Sequence, residues 1–187
     1  MGRTRLISRH DGFQRTAWIV ALIAASALLT CSWACATPFA ALAALGALNM
    51  TRRDAFIAVM GVWLVNQALG FSILAYPTDG LTFAWGGAIA VAALLALVAA
   101  SVAATGLRRT SLIVQAGAAF LAAFAAYEAG LYAATFALGG AEAAFSQPFV
   151  AQIFKVDVIS FVALLALHRA ALAIGLAAPA PRSLAPA

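Results

Sequence analysis

Two cysteines, Cys31 and Cys35, stand four residues apart in an apolar stretch. On a helix that spacing puts both thiols on one face, but bridging them would strain the backbone. A thiolate is a soft donor suited to late first-row metals, so the pair has the chemistry to meet a metal ion or a metal-centred ligand. No third or fourth ligand of that kind is near in sequence, and a buried cysteine is otherwise a small apolar side chain. Further along, Asn66-Gln67, Glu128, Lys155 and Asp157 interrupt apolar runs. Trp63, Trp85, Tyr127 and Tyr132 could line a place for a flat ligand.

The composition says what kind of element must carry these groups. The chain has 187 residues, 65% hydrophobic and only 9% charged, and its mean hydropathy is +1.01. Soluble domains carry about 25% charged residues. The expected fold is therefore all-α, a single integral membrane bundle of six transmembrane helices. The net charge of +5 invites a nucleic-acid reading, but the arginines lie at the ends of the apolar runs. Lipid headgroups and the membrane potential account for them there, so no nucleic-acid partner is expected.

The runs themselves can be bounded. Ala17 to Met50 as one helix would extend about 51 Å, well beyond a hydrocarbon core of about 30 Å. It must break, and Thr37-Pro38 is the place, because proline starts helices and disfavours helical geometry just before it. Spans are expected near 16–36, 38–50, 55–76, 82–105, 111–138 and 149–176. Residues 1–15 form a basic terminus, 16–176 the transmembrane domain, and 177–187 a disordered Pro/Ala-rich tail. Ala34-Cys35-Ala36 resembles a signal-peptide cleavage site. The regular alternation of arginine loops argues against cleavage.

Six spans put Arg3, Arg5, Arg9, Arg15, Arg52-Arg53, Arg108-Arg109, Arg169 and Arg182 on one side. The positive-inside rule makes that side cytoplasmic, with both termini there. Tyr76-Pro77-Thr78-Asp79-Gly80 then reads as a tight outer turn. Depth follows from the rise per residue: Asn66, Gln67 and Glu128 fall about 15 Å below the outer ends of their spans. Lys155 and Asp157 fall about 9 and 12 Å down the sixth. Polar groups thus gather in the outer half, as an outward-facing pocket would require and a continuous pore would not. Glu128 and Lys155 are placed to neutralise each other or to meet a ligand, or Lys155 snorkels to the outer headgroups and leaves Glu128 neutral. The two amides serve equally as interhelical glue, Tyr76 and Trp85 as belt aromatics, and His168 as a solvated end residue beside Arg169.

Cys35-Ala36-Thr37-Pro38-Phe39-Ala40-Ala41-Leu42, then Trp63-Leu64-Val65-Asn66-Gln67-Ala68-Leu69-Gly70-Phe71, then Tyr76-Pro77, resembles the BtuM family. These small bacterial membrane proteins are similar to the substrate-binding S components of energy-coupling-factor vitamin transporters. The motifs cover the first half of the chain, and the second half matches by span count alone. The resemblance implies a non-enzymatic inner-membrane protein that binds cobalamin from the periplasmic side. It also implies a cysteine ligand to cobalt, best matched by Cys35, with Cys31 second. Trp63, Asn66, Gln67, Tyr76, Glu128 and Lys155 complete the expected site. An energy-coupling subunit with its ATPases is a possible partner, docking on Ala17, Ala21 and Ala25, although BtuM-like proteins work without one. The chain has no Walker-type loop, so it does not hydrolyse ATP itself. Two alternatives stay open: a soft-metal or redox protein using both cysteines, and a ligand-free structural bundle.

Overall fold

A computed structural model describes residues 2–32, 37–139 and 145–177, with side chains from 12–30, 37–139 and 145–177. These residues form six helices: α1 (Gly2–Ser32), α2 (Phe39–Asn49), α3 (Arg52–Ser72), α4 (Gly80–Gly106), α5 (Leu112–Leu138) and α6 (Gln147–Ala173). No strand occurs among them. Five are long and apolar enough to cross a membrane, and together they make this a multi-pass membrane bundle. α2 is not one of the five. Its eleven residues reach only about 16 Å.

α2 is instead the axis of the fold. It packs against α3, α4, α5 and α6, and every residue from Phe39 to Gly46 is buried. A helix apolar all round has no face for solvent and belongs inside a larger assembly. Ala40, Ala41, Ala43, Ala44 and Gly46 keep it thin enough for four neighbours to close on it. At its end the turn into α3 is tight: a Cβ on Gly46 would lie 2.9 Å from that of Ala55.

The long helices pair through small residues. On α4, Ala92, Ala96, Ala100 and Ala104 recur every fourth position and are all buried, opposite Ala119 and Ala123 of α5. Gly130 fits directly over Ala92. Such rows let backbones approach closely where lipid supplies no hydrophobic drive.

Among the described residues the arginines collect at one end. Arg15 of α1 forms an ion pair with Asp54 in the first turn of α3, at 2.6 Å. Thr51 caps that turn, its hydroxyl accepting from the Asp54 N–H and donating to the Asp54 carboxylate. Trp18 packs against His168, beside Arg169, with ring centroids 5.4 Å apart. Gln115 reaches the Ala104 carbonyl at 2.6 Å and so ties α5 to α4 near Arg108 and Arg109.

Burial is uneven along the bundle axis. The arginine half is densely packed around α2. In the far half, residues 63–91 include only Gly70 and Gly86 as buried positions, and no described residue from 128 to 155 is buried. The short central helix is the reason. It fills one half and leaves the other without an axial element among the described residues.

Candidate ligand-binding site

The boundary between the two halves is a polar layer around the start of α2. Pro38 precedes the helix and provides no side-chain cap, so the first N–H groups of α2 need an acceptor from elsewhere. Asp157 of α6 supplies it, accepting from the Ala41 N–H at 3.1 Å. The carboxylate is 2% exposed, and a helix N-terminus is a favourable place for such a charge. Sequence reading gave Asp157 a depth and no role. Its partner lies 116 positions away, and local patterns do not reach that far.

Around this anchor the remaining polar groups form a chain. Asn66 donates to the Thr37 hydroxyl at 2.7 Å, and Gln67 donates to the Asn66 carbonyl oxygen at 3.1 Å. Thr30 joins from α1, its hydroxyl donating to the Ser26 carbonyl and lying 3.1 Å from the Thr37 hydroxyl, from which it can accept. α1, the α2 entry and α3 are thereby tied at one level. Sequence position marks Thr37 as the residue before the proline break, and its hydroxyl is the hub of this chain.

The tryptophan motif on α3 is a seam with α4. Trp63 Nε1 donates to the Gly86 carbonyl at 2.8 Å. The Gln67 side chain lies so close over Gly86 that a Cβ there would meet Oε1 at 2.5 Å. Gly70 does the same for Tyr76, whose ring occupies the place of a side chain. Tyr76 returns to this position because Ala75 adopts a positive φ of 54°, and its N–H donates to the Gly70 carbonyl at 3.0 Å. Phe71 meets Tyr76 edge-on and stacks on Phe83. Tyr76 is therefore half-buried packing between α3 and α4.

On the opposite wall, Tyr127 is buried with its ring 5.7 Å from that of Phe39. Glu128 and Asp157 lie within electrostatic range of each other. One oxygen of Glu128, Oε1, is buried with no hydrogen-bond partner. Lys155 is exposed and does not pair with it. Depth alone leaves that pairing open, and rotation about α6 decides it by turning Lys155 outward. His168 also departs from expectation: it is 3% exposed, because adjacent helix positions face about 100° apart and Arg169 takes the outward one.

Cys35 lies outside the described residues, as does the side chain of Cys31. Among the described residues no group of three His, Cys, Asp or Glu side chains could hold a metal ion. What the arrangement offers is a polar floor with aromatic walls, one free carboxylate oxygen, and little packing above it. Fold and site together define an integral membrane helical bundle with a one-sided polar layer. Comparisons with family models, with curated proteins and with solved structures returned no match.

Proposed function

We propose that this chain is a cobalamin-binding transport protein of the bacterial inner membrane, taking the vitamin from the periplasmic side. The observation that carries the reading is the unequal burial of the bundle, dense around α2 and sparse above the polar layer. A binding protein needs one closed end and one end where a bulky ligand fits between helices. With the arginine end cytoplasmic by the positive-inside rule, the sparse half faces outward.

In this reading Cys35, with Cys31 as second choice, meets the cobalt, a thiolate being a strong donor to such a centre. Glu128 Oε1 accepts from an amide of the corrin rim. Asn66 and Gln67 hold the floor in register. Trp63 and Tyr76 shape the wall, while Lys155, exposed on the rim of α6, attracts the ligand's phosphate.

Recording the visible spectrum of cobalamin with the purified protein tests this. A thiolate-dependent band shift, lost in Cys35→Ala, is the expected result. Absence of binding at micromolar vitamin ends the proposal. The Thr30–Thr37–Asn66–Gln67 chain also suits a ligand-free structural bundle. That alternative predicts that Glu128→Ala changes stability and no uptake phenotype.

A further inference from the structure

Among the described residues the buried polar or charged side chains are Ser26, Thr30, Asp54, Asp157, Ser160 and His168. Asp54 is held by Arg15; the other five all lie on α1 and α6. These two helices run antiparallel, with Trp18 against His168. Counting away from that contact at equal rise brings Leu22 level with Leu164, Ser26 with Ser160 and Thr30 with Asp157. Positions 18, 22, 26 and 30 share one face of α1, and 157, 160, 164 and 168 share one face of α6. The seam is thus a ladder of three polar rungs and one leucine rung.

The polar rungs are incompletely satisfied. Serine and threonine in helices ordinarily close onto the carbonyl four residues back. Thr30, Ser101 and Thr105 do so here. Ser26 Oγ and Ser160 Oγ have no partner, nor do Trp18 Nε1 and His168 Nδ1. Among the described residues, four of the five buried polar side-chain atoms without a partner therefore lie along this one seam. Within a bilayer such groups must be satisfied by protein or by trapped water. Leu22 and Leu164 are fully buried and separate the upper water-demanding rungs from the lower one.

We infer that the α1–α6 seam is a gated proton path, running from Asp157 through Ser160 and Ser26 to His168, with the Leu22–Leu164 rung as its dry gate. Hydroxyls, an imidazole and a carboxylate relay protons through bridging water. An indole N–H cannot ligate a metal cation, which makes sodium a poor occupant. Asp157 accepts from the Ala41 N–H of α2 and lies within electrostatic range of Glu128 and Tyr127 of α5; Thr30 of α1 is level with it, and Lys155 on its own helix is exposed. His168 faces Trp18, with Arg15, engaged by Asp54, one turn below and Arg169 beside it. This rests on the transport reading for its purpose, supplying the coupling ion, but not for its test.

The full-length protein in liposomes with an internal pH-sensitive dye and an imposed potassium diffusion potential provides that test, with no cobalamin present. Wild type is expected to leak slowly, and Leu164→Asn to leak at least about tenfold faster through the wetted gate. Adding His168→Gln to Leu164→Asn should return the rate towards wild type. A leak unchanged in Leu164→Asn, or one that His168→Gln does not reduce, overturns the inference, as does a flux carried by sodium. Should Leu164→Asn fail to reconstitute, Leu22→Thr wets the gate from the other helix. In wild-type protein, solid-state NMR should show water exchange cross-peaks to Ser160 and His168. Their absence overturns it equally. Failure of vitamin binding leaves these results untouched.

Discussion

Asp157 carries the most weight of any single side chain, because it caps a helix that cannot cap itself. Asp157→Ala leaves a buried N–H at Ala41 without an acceptor, a loss of about 1–3 kcal/mol. Asp157→Asn keeps an oxygen there and should melt nearer to wild type, as thermal unfolding in detergent would report. Equal losses in the two variants would mean that the hydrogen bond to the Ala41 N–H contributes nothing. Ala75 offers a gain: its positive φ suits glycine, and Ala75→Gly should stabilise by roughly 1 kcal/mol. Asp79 caps α4 through the Thr82 N–H at 2.8 Å. That hydrogen bond holds its carboxyl below the ordinary value of 3.8. A depressed folded value means that the cap is fully formed above the unfolded value and is lost as pH falls through the folded one. Amide exchange at Thr82 should therefore accelerate on acidification in wild type and stay nearly flat in Asp79→Asn.

At the scale of elements, α2 divides what was readable from what was not. Hydropathy and the Thr37-Pro38 break were enough to expect a short helix near 38–50, and α2 spans Phe39–Asn49. That it forms the axis was not readable. Its alanine-rich surface has the same composition as a lipid-facing helix, and only its neighbours decide the difference. The same limit applies to side-chain pairing: depth follows from counting residues, whereas rotation depends on packing, so counting left the Glu128–Lys155 pairing open and took the buried His168 for a solvated residue. The polar layer itself was legible, because charged and amide groups stand out within apolar runs. A packing prediction belongs here. Leu42→Ala in α2 should cost about 2–5 kcal/mol, while Leu64→Ala on the exposed face of α3 should stay within about 0.5 kcal/mol. Equal losses would mean that α2 is not the core.

For the whole molecule, the arginines, the short helix and the uneven burial form one argument. Arginines mark the end around which α2 and its alanine rows close. The polar layer sits where α2 begins, and beyond it the long helices continue with few buried positions among the described residues. A closed base and an open far half are what a one-sided binding protein requires, and a symmetric channel would distribute packing differently. The most direct measurement uses a cysteine-free background carrying Glu128→Cys, with Arg108→Cys as reference, labelled in intact cells by a membrane-impermeant maleimide. Residue 128 should label from the periplasm and residue 108 only after the inner membrane is opened. Labelling of residue 108 in intact cells, or of residue 128 only from the cytoplasm, would contradict the account.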